Sequence, residues 1–552
     1  MPRLQARVGV LFAGFVLLLA LASARSIYLG AFQAGKLRRA AVSQQVATVA
    51  VPALRGTIFD RNGVELAVSE PADDISATPY LVRDPAAAAR KLAPILGAQT
   101  DAVAAKLTRR TGFVYLARGL PDASAQQIAK LRLSGIALTP LGRRDYPNHA
   151  LSAHVIGAVG LDGAGLSGLE YSQERMLRGK DGQRRSVNDA LGNPISTADL
   201  RTARAGAPVR LTLDAGLQGQ VEQVLSRIGA VWRPKGATAI VMDPHSGGIL
   251  AMANWPRVDA NDIAAAPAYA RQNRAVGFDY EPGSTFKVVA IGGALQDGLL
   301  TPQTSFDLPP QIQVADRTIH DAEARGPVTY TTSQILSRSS NIGAIKVGML
   351  LGRRRFDQYV RDFGFGAATH VDLPGEERGL VLSLDHYSGS SMGNLPIGQG
   401  ESVTPLQIAS AYSAIANGGV LPPPHIVASV DGRASRQPAG RRVFSPVVSQ
   451  ELRTMLRGVL APGGTASEVS IPGYKLAGKT GTANKVDPST GQYSSSRYVA
   501  SFVGFAPAQN PKLLVSVVVD EPQGAIYGGQ VAAPAFGQIM SFALPYLMIP
   551  PG

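Results

Sequence analysis

The sequence contains no cysteine among its 552 residues. This absence excludes a disulfide framework, a thiolate metal site, an iron–sulfur cluster and a cysteine nucleophile. The chain also lacks the bias of disordered or fibrous proteins, because 45% of its residues are hydrophobic and 17% are charged. A chain of this length and composition predicts about two to four globular domains with sizeable cores.

The pattern of a nucleic-acid-binding groove is also missing, although the chain is basic. Lysine and arginine number 54 against 40 acidic residues, which leaves a formal net charge of +14. A field of this sign favours anionic surfaces such as nucleic acid or phospholipid headgroups. However, the basic residues are scattered in pairs and triplets without aromatic residues between them, unlike a strand-tracking groove. We therefore expect no nucleic-acid partner, and we interpret the charge as solvated and partly membrane-facing.

One uncharged apolar run, residues 8–24, lies between arginines near the N-terminus. It is slightly shorter than an ordinary spanning helix, but Arg7 and Arg25 could snorkel and residues 26–29 could extend it into the interface. The competing interpretation is a cleaved signal peptide, because residues 22–24 form an A-x-A site. We expect an uncleaved single-pass anchor at residues 8–28 in a bacterial cytoplasmic membrane. Residues 1–7 would be cytoplasmic and the remainder would lie on the outer, periplasmic side, although the flanking charges do not fix this orientation.

The rest of the chain divides into two parts. Residues 40–206 alternate short strands with turns and short helices, and strand-like segments at 46–53 and 64–69 surround turn residues 60–63. Residues 207–552 contain a strand–turn–strand pattern, further long apolar strands and a C-terminal helix after Pro534. The second part predicts an α/β (α+β) fold in which an antiparallel sheet is flanked by helices.

Three short motifs match known sites without the required context. Residues 163–168 satisfy G-x-G-x-x-G, with Asp189 at the distance of a ribose contact, but no second apolar strand lies between them. Residues 389–393 fit the G-x-S-x-G nucleophile elbow without a strand before or a helix after them. Residues 362–364 spell the kinase triplet without its phosphate loop. None of the three predicts a site.

Three other motifs occur in the local structure that their chemistry requires. The pattern S-x-x-K occurs once, as Ser284 to Lys287, at the start of an apolar helix that we expect to end near Gly298. The spacing places the serine and the lysine on one helical face. The triplet Ser339-Ser340-Asn341 follows a helical stretch, and the sequence K-T-G occurs once, at Lys479 in a strand-like segment. The ordered set is far more specific than any one member.

On these motifs, the chain from residue 211 to its end resembles the transpeptidase domain of penicillin-binding proteins, and the first part resembles the pedestal of their class B group. The pedestal resemblance rests on two segments, residues 55–63 and 165–170. The motif residues in them are Arg55, Gly56, Asp60, Arg61, Gly63, Gly165, Gly168 and Glu170. The first segment would join two strands, either as a hairpin held by local ion pairs or as a hinge or coupling element between the membrane and the catalytic domain.

The resemblance implies serine chemistry on a D-Ala-D-Ala carbonyl or on the β-lactam that mimics it. Serine is a poor nucleophile at neutral pH and needs a base. Ser284 would attack and Lys287 would be the base, its proton affinity lowered by burial and by Lys479. The backbone N–H groups of Ser284 and Thr482 would bind the oxyanion. The remaining roles would be proton relay by Ser339, positioning by Asn341, and binding of the terminal carboxylate by Lys479, Thr480, Gly481 and Thr482.

The resemblance also narrows the function. No glycosyltransferase domain fits between anchor and pedestal, so we expect a monofunctional enzyme that needs neither cofactor nor metal. The segment between Ser284 and Ser339 looks like the cell-division type, with the elongation type as the alternative. Another class of function, a catalytically silent scaffold or sensor, is disfavoured by the intact motifs. Expected partners are stem peptides on lipid II-derived glycan strands, β-lactams, other division proteins, the membrane, and a glycosyltransferase of the shape, elongation, division and sporulation family.

Overall fold

We analysed a computed structural model of the chain, which describes residues 2–36, 46–188, 194–487 and 489–551. Residues 40–45, where we expect the first domain to begin, and Asp189 lie outside the described residues. The chain forms two compact units. The small unit comprises Met1–Leu54, Glu70–Arg143 and Gly179–Ala205, and the large unit comprises Arg55–Ser69, Arg144–Arg178 and Gly206–Gly552. Each unit is therefore built from segments that are separated in the sequence.

The strands, in chain order, are β1 (Val46–Val51), β2 (Ile58–Phe59), β3 (Glu65–Ala77), β4 (Val114–Pro121), β5 (Ile136–Asp145), β6 (Gly182–Asn188), β7 (Pro194–Arg201), β8 (Val209–Leu211), β9 (Gly236–Met242), β10 (Ile249–Trp255), β11 (Ser305–Leu308), β12 (Gln311–Val314), β13 (Arg317–His320), β14 (Val328–Thr331), β15 (Val420–Leu421), β16 (Val427–Val430), β17 (Arg433–Ala434), β18 (Arg441–Arg442), β19 (Ala477–Val486), β20 (Tyr493–Ala506) and β21 (Leu513–Asp520).

The α-helices are α1 (Pro2–Ile27), α2 (Pro85–Leu96), α3 (Thr100–Leu107), α4 (Asp122–Lys130), α5 (Ala153–Ile156), α6 (Gly168–Ser172), α7 (Glu174–Leu177), α8 (Ala215–Trp232), α9 (Ala268–Arg271), α10 (Arg274–Gly277), α11 (Lys287–Gln296), α12 (Thr332–Ser337), α13 (Asn341–Leu351), α14 (Arg353–Asp362), α15 (Ser391–Asn394), α16 (Pro405–Ala416), α17 (Pro446–Arg457) and α18 (Gly528–Tyr546).

Helix α1 is the apolar helix that the sequence predicts. It continues into a π-helical turn, Tyr28–Phe32, and the span Ala6–Phe32 is long and apolar enough to cross a membrane. Its large side chains are exposed, for example Leu11 at 74% and Phe12 at 68%. In a soluble protein such a surface would be unusual, whereas a bilayer would cover it. The helix is consistent with a single-pass membrane anchor.

The small unit contains two groups of strands. Strand β6 lies between β1 and β7 in an antiparallel sheet, with Val51 opposite Gly182. The later residues of β3 pair with β4, with Ala77 opposite Val114, and β5 also pairs with β3. Buried apolar side chains from β3 and the helices α2, α3 and α4 form the core of the unit. Helix α2 begins after Asp84, whose carboxylate accepts the Ala87 N–H at 2.9 Å.

The large unit is layered around the antiparallel sheet β10-β9-β21-β20-β19. Alternate residues of a strand point to opposite faces. On β9, Ile240 and Met242 join a core that includes α11, α13 and α16, while Ala239 and Val241 join a second core with α8 and α18. Helices therefore cover both faces of the sheet, which confirms the predicted fold class. Strand β19 is at the edge of this sheet.

Two sequence-based boundaries were wrong. The C-terminal helix begins at Gly528, so Pro534 lies inside it and not before it. The strand segment predicted at 64–69 continues to Ala77, and the short β2 pairs with its first residues, Phe59 opposite Glu65. The hairpin around residues 60–63 therefore joins β2 and β3, whereas β1 pairs with β6. The strand–turn–strand pattern is confirmed as β9 and β10, and the end of the serine helix is confirmed at Gln296, two residues before Gly298.

Candidate active site

Ser284 lies on a 3₁₀ turn, Gly283–Phe286, that leads directly into helix α11. Gly283 has a φ of 56°, a conformation that favours glycine. A Cβ at this position would lie 2.7 Å from the Thr482 carbonyl oxygen on β19. The glycine therefore lets the serine turn lie directly against the K-T-G strand. Ser284 itself is half-buried, and its hydroxyl has no hydrogen-bond partner among the residues that the structure describes.

Lys287 is the first residue of α11 and is completely buried. Its Nζ donates to the Ser339 carbonyl oxygen at 2.5 Å and to Asn341 Oδ1 at 2.7 Å, and it lies 3.3 Å from Ser339 Oγ. Burial lowers the pKa of Lys287 to about 7, although the negative charge of Asp321 opposes the shift. A substantial fraction of this amine is therefore neutral near neutral pH.

The S-S-N triplet lies between helices α12 and α13. Ser339 has a φ of 58°, which is rare for a residue with a side chain. Ser340 is the N-cap of α13, and its Oγ accepts the Gly343 N–H at 3.1 Å. Asn341 begins the helix, and its Nδ2 donates to the His320 carbonyl oxygen at 3.1 Å. The triplet is thus fixed by a helix start, with Ser339 and Asn341 turned toward Lys287.

Asp321 is a site residue that the sequence analysis missed. Its carboxylate accepts the N–H groups of Asn341 at 2.5 Å and Ile342 at 3.1 Å, and Ser340 Oγ donates to it at 3.0 Å. Arg325 pairs with it at 2.6 Å. A carboxylate at a helix N-terminus is favoured by the exposed N–H groups and the helix dipole. Asp321 precedes the triplet by 18 to 20 positions, and no local pattern marks it.

The K-T-G motif lies on the edge strand β19. Lys479 is completely buried, and its Nζ donates to the Thr480 carbonyl oxygen at 3.2 Å and lies 3.3 Å from Thr480 Oγ1. Burial lowers the pKa of Lys479 well below its usual value, and the charge of Lys287 lowers it further. The family resemblance implied that Lys479 helps to lower the proton affinity of Lys287. Burial is the main cause of the lowered pKa of Lys287, whereas the repulsion between the two lysines lowers the pKa of Lys479.

The other residues of this strand fit against the serine turn. A Cβ at Gly481 would lie 2.3 Å from Ser501 Oγ and 3.0 Å from the Pro282 carbonyl oxygen, so only glycine fits there. Thr482 is half-buried, and its Oγ1 accepts the Gly528 N–H at 3.1 Å. Thr480 Oγ1 lies 2.7 Å from the hydroxyl of Thr465. The structure therefore brings all three motifs together around Lys287 and the serine turn.

The pedestal motif forms a buried polar cluster within the large unit. Arg55 Nη2 lies 2.8 Å from Glu170 Oε2, and Arg55 Nη1 lies 2.6 Å from Glu174 Oε2. Arg144 Nε lies 2.6 Å from Glu170 Oε1, and Glu170 is completely buried. The interpretation with local ion pairs is wrong for Arg55, because Arg55 reaches Glu170 across a sequence separation of 115 residues. Arg144 and Glu174 were not found from the sequence.

The other pedestal residues have backbone roles. Asp60 is completely buried and accepts the N–H groups of Asn62 at 2.7 Å, Val64 at 2.8 Å and Ala215 at 3.0 Å. It therefore holds the hairpin turn by hydrogen bonds, and it forms no ion pair with any residue that the structure describes. Arg61 is exposed, and its backbone N–H donates to Leu213. The four motif glycines lie where the backbone turns or approaches other backbone closely; they are Gly56, Gly63, Gly165 and Gly168.

The rejected motifs do not form sites. Ser391 begins the four-residue helix α15, so a helix does follow the G-x-S-x-G pattern, but Ser391 is buried and its Oγ accepts the Ser388 N–H at 2.8 Å. Residues 362–364 lie at the end of α14. Within the described ranges, no group of three or more histidine, aspartate or glutamate residues could hold a metal ion.

Comparison with known proteins agrees with this geometry. A model of the penicillin-binding protein transpeptidase domain matches residues 237–541, and a model of the penicillin-binding protein dimerisation domain matches residues 50–211. Penicillin-binding protein PbpB of Mycolicibacterium smegmatis is 35% identical over 93% of this chain and 86% of its own length. Peptidoglycan D,D-transpeptidase FtsI of Escherichia coli K12 is 34% identical over 92% of this chain and 85% of its own.

Solved structures give the same result. The crystal structure of penicillin-binding protein 3 from Mycobacterium tuberculosis in complex with aztreonam superposes with a TM-score of 0.72 at 32% identity, covering 91% of this chain and 98% of that one. A peptidoglycan synthetase from Bifidobacterium adolescentis superposes with a TM-score of 0.73 at 29% identity, covering 92% and 98% of the two chains. The resemblance inferred from the motifs is confirmed. The chain belongs to the class B penicillin-binding proteins and is a serine-type peptidoglycan D,D-transpeptidase.

Proposed function

We propose that Ser284 is the nucleophile and Lys287 its general base. A neutral amine has two N–H bonds and one lone pair. The Ser339 carbonyl oxygen and Asn341 Oδ1 accept at 2.5 and 2.7 Å, which uses both N–H bonds. The lone pair then remains for the hydroxyl proton of Ser284. The buried, doubly anchored amine of Lys287 is the observation that carries this proposal.

The reaction then consists of two acyl transfers, first to Ser284 and then to an acceptor amine. The Ser284 oxygen adds to the penultimate D-Ala carbonyl while its proton passes to Lys287, and the oxyanion lies against the N–H groups of Ser284 and Thr482. Ser339 relays that proton to the departing D-Ala nitrogen, which leaves an acyl-enzyme. An amine of a second stem peptide attacks the ester, restores the Ser284 hydroxyl and forms the cross-link. The same attack on a β-lactam opens the ring and leaves an acyl group on Ser284.

Lys479, Thr480, Gly481 and Thr482 are proposed to bind the terminal carboxylate of the donor peptide or of the β-lactam. The close fit between Gly481 and the serine turn supports this assignment, because it brings the strand beside the nucleophile. A carboxylate would favour the ammonium form of Lys479 and would pair with it by a charge-assisted hydrogen bond. Asn341 would hold Lys287 and contact the substrate amide.

At the level of the cell, we infer a role in septal cross-linking, with elongation as the alternative. Relatives named FtsI and PbpB support the division role. The helix α1 would anchor the chain at residues 8–28, with residues 1–7 in the cytoplasm and the pedestal (40–206) and transpeptidase domain (207–552) in the periplasm. The expected partner is a glycosyltransferase of the shape, elongation, division and sporulation family, which would supply glycan strands, together with other division proteins.

Turnover of a synthetic pentapeptide stem tests the assignment of the nucleophile. The full-length chain in detergent should release D-Ala from the donor and join the donor to an added acceptor amine. Ser284→Ala should abolish both products, whereas Ser391→Ala, which changes a serine outside the proposed site, should keep them. Equal product formation by the wild type and Ser284→Ala would contradict the proposal, and a wild type that only binds the peptide would favour the silent scaffold.

A further inference from the structure

Two glutamates lie on the two chain segments that position the serine turn. Glu281 is three residues before Ser284, and Glu401 lies on the segment 398–405 that pairs with the approach to the turn. Tyr280 and Val403 exchange backbone hydrogen bonds of 3.0 and 2.9 Å, and the Gly283 N–H donates to the Gly398 carbonyl oxygen at 3.0 Å. The position of the serine turn therefore depends on this neighbouring segment.

Glu281 adds a side-chain link between the two segments. Its Oε1 accepts the Gly400 N–H at 3.0 Å and the Tyr493 hydroxyl at 3.0 Å. Its Oε2 is buried and has no hydrogen-bond partner in the described part of the chain. Glu401 is only 2% exposed, and its Oε1 is also buried without such a partner. Among the described residues, neither glutamate forms an ion pair with a lysine, an arginine or a histidine.

Two ionised carboxylates in this position would be costly. Burial without a cation disfavours the charged form of a carboxyl group, and a second negative charge nearby disfavours it more. Burial raises the pKa of Glu281, and burial together with the charge of Glu281 raises the pKa of Glu401 well above its usual value. Two titratable groups on other elements interact electrostatically with the pair. Tyr493 on β20 interacts with Glu281, and Tyr387 interacts with Glu401. The charge of Arg317 on β13 interacts electrostatically with Tyr493. Asp279, near the start of the same segment as Glu281, accepts a hydrogen bond from the Ser402 hydroxyl at 2.6 Å.

We propose that Glu281 and Glu401 hold one proton between them, on the more deeply buried Glu401, and that this proton keeps the serine turn in place against the segment 398–405. Glu401 is then a neutral carboxylic acid, and Glu281 is the anion that keeps its bonds to Gly400 and Tyr493. Loss of the proton leaves two anions on these neighbouring segments, neither of them in an ion pair with a described residue, and their repulsion separates the segments. Glu401 is then a positioning residue for acylation, which rests on the proposed role of Ser284.

The pH dependence of acylation tests the proposal. The experiment uses the full-length chain in detergent, a labelled penicillin at saturating concentration, and the limiting first-order rate of acylation. Saturation removes effects on recognition, in which Lys479 acts. The wild-type rate should fall at alkaline pH when Glu401 loses its proton. Glu401→Gln keeps a neutral side chain of the same shape, so its alkaline fall should be absent or moved upward by at least about one pH unit.

A variant of the other glutamate and a control variant complete the experiment. Glu281→Gln removes the other carboxylate and should also remove the alkaline fall, whereas Glu323→Gln, at an exposed glutamate, should behave as the wild type. An infrared band of a protonated carboxyl group should be present at neutral pH in the wild type and in Glu323→Gln, and absent in Glu401→Gln. An unchanged alkaline fall in both pair variants, a wild type without that fall, or the absence of the band overturns the proposal. Each of these results leaves Ser284 as the nucleophile if Ser284→Ala is inactive.

Discussion

Lys287 shows at the scale of one residue how the fold creates a base. A solvated lysine amine is protonated at neutral pH. Complete burial removes the solvation of its charge, and the acceptors on Ser339 and Asn341 hold it in a single position. Since those acceptors serve the neutral amine as well as the charged one, they orient the side chain without demanding its protonation.

The rate of acylation should therefore rise with pH through the titration of Lys287. Because burial depresses its pKa to about 7, the neutral base becomes more abundant between about pH 6 and pH 8. The measurement is the second-order rate of penicillin acylation over this range. Lys287→Ala should remove nearly all acylation, because members of a catalytic unit are not additive. A wild-type rate that does not change across this range would contradict the role of Lys287.

At the scale of the element, the N-terminus of α13 determines the geometry of the triplet. Ser340 caps the helix from within the motif, and Asp321 binds the first N–H groups from outside it. Both contacts fix the position of Ser339 and Asn341, whose oxygens in turn hold Lys287. The helix start thus links a distant carboxylate to the base.

Asp321→Asn should move the pH dependence of acylation in a defined direction. The negative charge of Asp321 raises the pKa of Lys287, so its removal should lower that pKa further. The rise of the acylation rate should then occur at a lower pH than in the wild type, even where the maximal rate is reduced. Glu323→Gln provides the control at an exposed position and should show no shift. A shift toward higher pH would show that the electrostatic account of Lys287 is incorrect.

The buried pedestal cluster makes a second prediction at this scale. Arg144→Ala leaves the buried carboxylate of Glu170 with one cation less and should reduce the free energy of unfolding by about 3 to 5 kcal/mol. The adjacent Arg143 pairs with Glu70 at 3.0 Å on the surface, with side chains 39% and 54% exposed. Arg143→Ala should cost at most about 1 kcal/mol. Denaturant titration measures the free energy of unfolding of both variants. Equal decreases in the two variants would mean that burial of the cluster adds nothing to the stability of the protein.

At the scale of the whole molecule, we expect the chemistry of the catalytic site to be independent of the membrane anchor. Exchange of residues 8–28 for an unrelated anchor leaves every residue of the active site unchanged, so penicillin acylation should remain near the wild-type rate. If the proposed glycosyltransferase contacts this helix, its glycan polymerisation should fall in the co-purified complex. Unchanged complex formation and glycan output after the exchange would remove the helix from the partner interface.

The sequence predicted the features that are local in the chain. The S-x-x-K, S-S-N and K-T-G motifs each occupy three or four consecutive positions, and their order along the chain carries the family resemblance from which the catalytic residues were proposed. The residues that were missed act across long sequence separations. Asp321 bonds to residues about 20 positions away, and Arg144 meets Glu170 at a separation of 26. Two parts were predicted, but the assembly of each compact unit from three separate segments was not.

The central claim is that the acyl group is carried by Ser284, and peptide mapping tests it most directly. The full-length chain is exposed to penicillin and digested, and the peptides are identified by mass spectrometry. The account predicts one modified peptide, with the added mass on Ser284, and no added mass on any peptide of Ser284→Ala. An adduct located on Ser339, or a covalent adduct that persists in Ser284→Ala, would contradict it.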